Sequence, residues 1–319
     1  MRCLRRLVVL ALAAASTADA MKVLVTGAGG KTGKLVFEQL KADKMTPASS
    51  TASVDVVGLC RSKKAVKTLK KVGAEDSEII VGDITNEDDL ATAMEGVGAV
   101  VMCTSAVPQI KKWSIVKLLF KKKILRRKDA GRPSFKFIPN GTPEEVDWLG
   151  ARNQIDAAKK AGVGHFIFVS SMGGTDSDNF LNTIGRQTDG SGGDILLWKR
   201  RAERYLIASG LSYTIVHPGG LVDEEAGKRE LVVDVDDKLM ATSTSRTVPR
   251  ADLARVCIAA LFEEKAKNSA FDLASKAPDA EGSVVTDDAS DVFKFLKGKT
   301  CSYDSVSGAR VPPSIPALR

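Results

Sequence analysis

A glycine-rich turn between an apolar strand and a helix constrains this chain more than any other feature. The run V-T-G-A-G-G-K-T-G-K-L spans residues 25–35, directly after the apolar residues 21–26. Gly27 permits a tight turn, Gly30 lets the backbone approach a bound group, and Gly33 lets the new helix pack closely on its strand. The unpaired amides at the start of that helix would face a phosphate. The pattern therefore predicts a cradle for the pyrophosphate of a dinucleotide.

Strand-like and helix-like segments alternate along the rest of the chain. Apolar strands are predicted near residues 54–60, 78–81, 99–103, 165–170, 213–216 and 270–274. Runs without a polar residue are typical of parallel strands that are covered on both faces. We therefore expect an α/β fold, a doubly wound and mostly parallel Rossmann sheet with helices on both faces and a small C-terminal substrate-side region.

The chain divides into three predicted parts. Residues 1–20 resemble a targeting leader, because three arginines precede the apolar residues 7–15 and A-D-A resembles a cleavage site. Residues 21–275 are the predicted NAD(P)-binding Rossmann domain, with a basic insert at 109–139. Residues 276–319 are polar and rich in Pro and Ser, so we expect a loosely ordered tail. The leader suggests secretory or plastid entry. If Met21 is the true start, the protein is cytoplasmic or lies in the plastid stroma.

The net charge of +8 is concentrated in one segment. Residues 111–128, from Lys111 to Lys128, hold nine Lys or Arg residues and no acid, so nucleic-acid binding is not expected. The apolar residues of this segment recur at helical spacing: Trp113, Val116, Phe120 and Ile124. Two interpretations stay open, a peripheral contact with a membrane or a protein and a lid over the substrate side of the cofactor cleft. The position after the fourth strand favours the lid.

The cysteines and histidines indicate no metal site. Cys60, Cys103 and Cys257 lie in apolar stretches and are expected to be buried. An odd count of five cysteines without a C-x-x-C pair argues against both a disulfide framework and a zinc site. His165 and His217 are expected to be structural histidines, because few acidic residues stand near them in the sequence.

The end of the second predicted strand bears on cofactor choice. It reads G-L-C-R-S-K with no acid nearby, whereas an acid at this place would bind the ribose hydroxyls of NAD. An arginine accommodates the additional phosphate of NADP, and Lys31 in the glycine turn would add a second cation. Arg61 and Lys31 therefore predict NADP(H) in preference to NAD(H). The alternative is that Arg61 is merely solvated at a strand end.

Further motifs are spread over residues 22–274. They are G-D-I-T at 82–85, T-S-A-V-P at 104–108, V-D-W at 146–148, N-Q-I-D-A-A at 153–158, S-M-G-G at 171–174, W-K-R at 198–200, P-G-G-L at 218–221 and V-P-R-A-D at 248–252. With them the chain resembles the atypical short-chain dehydrogenase/reductases, and among these the NmrA-like NAD(P)-binding proteins of the plant and algal single-domain type. The resemblance implies an NAD(P)(H)-dependent oxidoreductase of an unknown small carbonyl or quinone-like substrate.

The resemblance also implies roles for particular residues. Asp83 and Ile84 would hold the adenine, Lys199 would reach the nicotinamide ribose, and Pro218 would flank the nicotinamide. The whole cofactor-binding set is Gly27, Gly29, Gly30, Lys31, Thr32, Gly33, Arg61, Asp83, Ile84, Thr104, Ser105, Ala106, Ser170, Lys199 and Pro218. Lys199 and Ser171 are the catalytic candidates. The alternatives are a solvated helix lysine beside Arg200 and a serine that only caps a turn.

One departure from the family pattern bears on activity. Hydride-transferring members commonly place a tyrosine four residues before the lysine, where the cation acidifies its phenol. Position 195 of this chain is isoleucine. The proton must then come from Ser170, Ser171, Lys199 or water, or the protein is a non-catalytic dinucleotide-binding redox sensor or scaffold. No G-x-S-x-G turn is present, so a hydrolase of that type is excluded.

Overall fold

One large sheet organises the chain. The computed structural model describes residues 20–42, 53–111, 113, 114, 116, 120, 134–187, 192–242 and 246–303, and the expected leader lies outside them except for residue 20. Within these residues, ten strands form the sheet and two more form a small hairpin. The sheet strands are β1 (Met21–Thr26), β2 (Val54–Cys60), β3 (Ile79–Val81), β4 (Ala99–Met102), β7 (His165–Val169), β8 (Tyr213–Pro218), β9 (Gly220–Val222), β10 (Leu231–Asp234), β11 (Thr247–Pro249) and β12 (Ser269–Ser275). The hairpin strands are β5 (Gln109–Ile110) and β6 (Phe135–Lys136).

The strand order is β3-β2-β1-β4-β7-β8-β12-β11-β9, and β10 pairs with β12. The pairings from β3 to β12 along this path are parallel, while β10 and β11 are antiparallel to β12. This confirms the expected doubly wound Rossmann sheet. The chain leaves β1 toward β2 on one side and returns to β4 on the other, so a crevice opens at the carboxyl ends of β1 and β4.

The helices lie on both faces of the sheet. They are α1 (Lys31–Lys41), α2 (Lys63–Lys70), α3 (Glu87–Ala93), α4 (Ala151–Ala161), α5 (Ile195–Ala208), α6 (Lys238–Thr242), α7 (Arg250–Phe262) and α8 (Asp291–Phe295), with a π-helical turn over Glu144–Gly150 before α4. Helix α1 packs against α7, whereas α4 packs against α3 and α5. Both faces of the sheet are therefore covered, which explains the apolar strands: Val23, Leu24 and Val25 are all fully buried.

The glycine turn has the backbone that its sequence predicts. Gly27 has a φ of +66°, and a Cβ there would lie 2.9 Å from the carbonyl oxygen of Cys103. A Cβ on Gly33 would lie 2.4 Å from the carbonyl oxygen of Gly27, so only glycine lets α1 pack this closely on the turn. Gly29 approaches the Cβ of Ala65 on α2 and is needed for packing between helix and turn.

The expected tail needs correction over residues 276–303. Val292 and Phe293 on α8 are buried, and the Phe293 ring meets Phe271 edge-on with 5.7 Å between centroids. Beyond α8, the amide of Cys301 donates to the carbonyl of Ala270 at 2.8 Å. Polar composition predicted disorder because the short apolar run V-F-K-F-L was outweighed by its surroundings, yet that run is enough to dock the segment. Residues 304–319 lie outside the described part.

The basic insert is only partly described. Trp113, Val116 and Phe120 are helical, and 78%, 54% and 51% of their surfaces are exposed. The expectation that this apolar stripe packs over the cofactor cleft is therefore wrong for these three residues. Ile124 and most of the insert's lysines lie outside the described residues. None of the described helices is long and apolar enough to cross a membrane.

Candidate functional site

The structure gathers most of the predicted residues at the carboxyl-terminal edge of the sheet. The glycine turn follows β1, Arg61 follows β2, and residues 104–106 follow β4 with one residue between. Ser170 and Ser171 follow β7, and Pro218 ends β8. Asp83 and Ile84 come after the edge strand β3. Because parallel strands end together, residues far apart in sequence meet here.

The amino end of α1 fits an anionic group. Gly30 is the N-cap, the first turn contains no acidic residue, and no side chain of the described residues caps the helix. The first amides of the helix, from Lys31 to Gly33, have no partner within the helix itself. Among the described residues, a Cβ on Gly30 would approach only the Gly27 carbonyl oxygen, at 3.0 Å, so the turn is open to them on its outer side. These features suit a pyrophosphate, which would bind to the amides and the helix dipole.

The two cations proposed to recognise the additional phosphate each have a protein partner. Arg61 is exposed and donates from Nη1 to the Asn140 carbonyl oxygen at 3.0 Å. Lys31 forms an ion pair with Asp223, with 2.6 Å between Nζ and Oδ2, and both side chains are mostly exposed. Such pairs are weak in water, so neither prevents a phosphate from competing.

The residues expected at the adenine are held by their own neighbours. Asp83 Oδ1 accepts from the backbone amide of Thr85 at 2.9 Å and from its hydroxyl at 2.8 Å. Ile84 is buried against the π-helical turn, where a Cβ on Gly150 would lie 2.5 Å from the Ile84 Cδ1 atom. Their contact with adenine stays a prediction.

Lys199 is buried in an ion pair. Only 5% of the residue is exposed, and its Nζ lies 2.8 Å from Oδ1 of Asp147 in the π-helical turn. The interpretation of Lys199 as a solvated helix lysine is therefore wrong. The backbone amide of Ala106 also donates to Asp147, at 3.3 Å, so one carboxylate joins α5 to the loop after β4. Gln154 ties Thr104 into the same region, with 3.2 Å between Nε2 and the Thr104 hydroxyl.

A second buried network lies one turn further along α5. Glu203, four residues after Lys199, accepts a hydrogen bond from the Ser170 hydroxyl and lies 3.3 Å from Nε2 of His217. The other ring nitrogen, Nδ1, lies 3.3 Å from Oδ1 of Asp272. The expectation that His217 has few acidic neighbours is therefore wrong. It holds only for the nearby sequence, because Glu203 on α5 and Asp272 on β12 meet the ring in the fold.

The charges of Glu203 and His217 stabilise one another. Burial alone would raise the pKa of Glu203, but His217 first and then Arg200 and Ser170 outweigh it and lower that pKa to about 2. Burial alone would lower the pKa of His217, yet the adjacent Glu203 carboxylate, with Asp272, raises it well above the usual value. The pair is therefore ionised, an imidazolium beside a carboxylate.

The two serines after β7 differ in what they can do. The Ser170 side chain is buried, and its hydroxyl donates a hydrogen bond to Glu203. Ser171 is half-buried, donates only to the adjacent Met172 carbonyl at 3.2 Å among the contacts described, and lines a small cavity with Glu203 and His217. Ser171 is thus the serine of the two that a bound molecule can reach.

The chain offers no acidified phenol in place of the missing tyrosine. Ile195 is buried at the start of α5. All three tyrosines of the chain lie in the described part, and burial raises the pKa of each: to about 12 for Tyr205, above the usual value for Tyr213, and well above it for Tyr303. A catalytic phenol needs a shift in the other direction.

Sequence reasoning gave no role to three buried acids of this region, although one of them, Asp147, lies in the motif V-D-W at 146–148. Asp147, Glu203 and Asp272 lie in V-D-W-L, R-A-E-R and F-D-L-A. Asp147 and Asp272 stand between apolar residues, and an acid in an apolar run is a signal that could have found them. Glu203 stands among arginines, where the sequence suggests only an exposed charged face.

Comparison with known proteins identifies an NAD(P)H-binding family and similar plant proteins. The model of an NAD(P)H-binding family matches residues 27–264. An uncharacterized chloroplastic protein of Arabidopsis thaliana is 44% identical over 282 residues, which cover 88% of this chain and 78% of that protein. Sanguinarine reductase of Eschscholzia californica is 41% identical over 281 residues, covering 86% of this chain and 95% of the enzyme.

A solved structure supports the fold. The crystal structure of an oxidoreductase of Lactococcus lactis superposes with a TM-score of 0.55 and 18% sequence identity, covering 88% of this chain and 98% of that one. At this identity the likeness concerns the fold alone, a Rossmann-type sheet.

Proposed function

Because this chain belongs to the NAD(P)H-binding family, as an atypical short-chain dehydrogenase/reductase of the NmrA-like type, we propose that it is an NADP(H)-dependent reductase of a small carbonyl or quinone-like compound. Family membership supports dinucleotide binding and oxidoreductase chemistry. The preference for NADP(H) is supported by Arg61, and by the absence of an acid in R-S-K after β2.

The observation that carries the proposal is the buried pair of Lys199 and Asp147. Removing two charges from water costs several kcal/mol each, so a buried pair is weak support for stability on its own. This pair lies where α5 meets the loop after β4, next to Ala106 of the expected cofactor path. A cation with this placement supports a role in holding the cofactor.

The roles of the chain's own groups follow from their contacts. The first amides of α1 would bind the pyrophosphate, Arg61 the additional phosphate, and Lys199 the nicotinamide ribose. When bound, the cofactor would supply a hydride. Asp147 is a positioning residue, because it holds the Lys199 ammonium 2.8 Å away and also binds the Ala106 amide.

Ser171 is the group proposed to contact the substrate. Its hydroxyl would donate a hydrogen bond to the substrate oxygen, and the proton would be delivered by this hydroxyl or by water, since no acidified phenol is available. Ser170 is a positioning residue in this scheme, since its hydroxyl is bound to Glu203. The pairing of Glu203 with His217 fixes that carboxylate.

Names of relatives support the reaction class and the compartment. One relative that is 41% identical is named as the reductase of sanguinarine, which supports reduction of a small organic molecule. Another at 44% identity is named chloroplastic. We therefore place this protein in the plastid, with residues 1–20 as part of a targeting leader, in preference to secretion.

A non-catalytic redox sensor is the second candidate function. The observation in its favour is the buried Ile195 together with three tyrosines whose pKa values are all raised. Such a protein would bind NADPH as tightly as an enzyme but would not oxidise it.

The two candidates are separated by measuring binding and turnover in parallel. Calorimetry gives the affinity for NADPH, and loss of its absorbance gives turnover with a panel of aldehydes, ketones and quinones. A reductase shows turnover that Ser171→Ala lowers by at least about tenfold without changing NADPH affinity. Tight NADPH binding with no turnover across the panel supports the sensor, and no NADPH binding refutes both. Lys159→Met, an exposed lysine on α4, is the control variant.

A further inference from the structure

Three potential metal ligands from distant parts of the chain meet beneath Ser171. They are the Cys301 thiol on the C-terminal segment, Nδ1 of His217 on β8 and a carboxylate oxygen of Asp272 on β12. These atoms all lie within 4.8 Å of one another. The Cys301 Sγ atom is 3.7 Å from His217 Nδ1, which is 3.3 Å from Asp272 Oδ1. All three residues are buried.

The far side of the His217 ring is arranged as it is in metal sites. A metal-binding histidine usually donates its other N–H to a carboxylate, which fixes the tautomer and the ring. Here Nε2 lies 3.3 Å from Oε2 of Glu203. That oxygen also accepts from the Tyr303 hydroxyl at 2.9 Å and from Arg200 at 3.3 Å. When His217 gives up its Nδ1 proton and keeps the one on Nε2, the Nδ1 lone pair faces Cys301 and Asp272.

One carboxylate oxygen of Asp272 accepts no hydrogen bond from the described residues. The residue is fully buried, and the oxygen without a partner is Oδ2. A buried carboxylate oxygen without a partner costs free energy unless a cation or a water satisfies it. Beside it lies a cavity of about 10 Å³, lined by His217, Asp272 and Cys301 among others. That is roughly the room that one water or one small ion requires.

We propose that Cys301, His217 and Asp272 bind a Zn²⁺ ion, with water as the fourth ligand. Thiolate and imidazole select zinc rather than magnesium or calcium, which prefer oxygen ligands throughout. Binding would release the thiol proton of Cys301 and the Nδ1 proton of His217. The charges of Glu203, Asp272, the Cys301 thiolate, Arg200 and Zn²⁺ then sum to zero, and the acidic residues Asp236 and Asp237 line the same cavity.

The ion would fasten the C-terminal segment to the sheet. His217 and Asp272 lie on neighbouring strands, whereas Cys301 is near the end of the described chain. Without metal, the segment is held near this point by the Cys301 amide on Ala270 and by the Arg204 guanidinium on the Tyr303 carbonyl. A zinc ion would add a direct link to those bonds and to the cluster behind Ser171.

Metal binding by the full-length chain tests the proposal. The protein is stripped with a chelator and titrated with Zn²⁺ or, as a spectroscopic probe, with Co²⁺. One equivalent of zinc should bind and raise the melting temperature, and Co²⁺ should give the near-ultraviolet band of a cobalt thiolate. Cys301→Ser should abolish that band and weaken zinc binding by more than about 100-fold. Cys257→Ser removes another buried thiol and should change neither.

A second variant guards against a folding defect. His217→Arg keeps a cation between Glu203 and Asp272 but offers no ligand to a metal, so it should fold and lose zinc binding. Zinc binding should also strengthen as the pH rises, because protons are released. The proposal is overturned if the parent protein binds no zinc and gives no cobalt band, or if the band survives Cys301→Ser. In either case a proton shared by His217 and Asp272 satisfies the cluster instead.

Discussion

Lys199 and Asp147 form a buried ion pair, with 2.8 Å between Nζ and Oδ1 and with 6% and 0% of their side chains exposed. The pair joins α5 to the π-helical turn that leads into the preceding helix, α4. A π-helical turn is often found at functional sites, and here it directs an acid inward. The position of the lysine head is therefore set by tertiary structure and not by α5 alone.

The first prediction separates the charge of Lys199 from the fold. Lys199→Met leaves Asp147 buried and unpaired, so the free energy of unfolding should fall by about 3–5 kcal/mol. The double variant Lys199→Met, Asp147→Asn also removes the unpaired charge and should recover most of the lost stability. Both variants should bind NADPH more weakly, because neither carries the cation. Urea unfolding measures the stability, and calorimetry measures the NADPH affinity. If Lys199→Met alone were as stable as the parent protein, the buried ion pair would not be present.

The second prediction concerns cofactor choice. Arg61→Ala should weaken NADPH binding by about tenfold or more, because a charge-assisted bond to a phosphate is lost, and should leave NADH binding unchanged. Calorimetric titration of the four nicotinamide dinucleotides measures this. Lys265→Ala is the matched control, since it removes an exposed cation just before β12, at the opposite edge of the sheet. Equal affinities for NADPH and NADH in the parent protein would exclude the assigned role.

The third prediction concerns the packing of the glycine turn. A methyl group on Gly33 would lie 2.4 Å from the Gly27 carbonyl oxygen and 2.9 Å from the Ala28 Cα, so α1 must shift. Gly33→Ala should therefore weaken NADPH binding at least about tenfold and lower the melting temperature. Gly164→Ala adds the same methyl group 3.4 Å from the Gly98 oxygen, an ordinary contact, and should change little. Equal behaviour of the two variants would refute the steric argument.

The architecture was predictable because its signals are local. A buried parallel strand shows as an apolar run, so β1, β2, β4 and β7 could be placed within a residue or two. The glycine turn adds steric requirements that only glycine meets, and these fix where β1 ends. Once the strands are placed, the residues directly after them can be assigned to the carboxyl-terminal edge of the sheet.

The interior of the site was not predictable, because its contacts are long-range. Glu203 pairs with His217, fourteen positions away in the sequence, yet Asp272 reaches the same ring from 55 positions away. No periodicity connects these residues. The charged run K-R-R at 199–201 suggests an exposed helix face, yet Lys199 and Arg200 are both buried once α5 packs in the fold. The short strands β9, β10 and β11 were missed for the same reason, since they exist only by pairing with one another and with β12.

The protonation of the buried His165 can be measured through its effect on stability. Its Nε2 lies 2.9 Å from the Thr214 hydroxyl oxygen, and that hydroxyl donates its own proton to the Ala266 carbonyl at 2.6 Å. Nε2 must therefore carry the proton of the neutral ring, and Nδ1 has no hydrogen-bond partner within the described residues. Burial first, and the charge of Lys267 second, lower the pKa of His165 to about 4.

The final prediction is that His165 makes the fold less stable as the pH falls from 6.5 to 4. In this window the unfolded chain binds a proton at this histidine and the folded chain does not, so stability decreases with falling pH; above 6.5 the contribution is constant. The loss should reach roughly 3 kcal/mol. In His165→Gln, whose amide can still donate to Thr214, that part of the pH dependence should vanish. Depressed carboxyl pKa values, such as that of Glu203, act equally in both proteins, so the difference between their urea-unfolding curves isolates His165. Parallel pH profiles for the two proteins would show that His165 titrates normally in the folded chain.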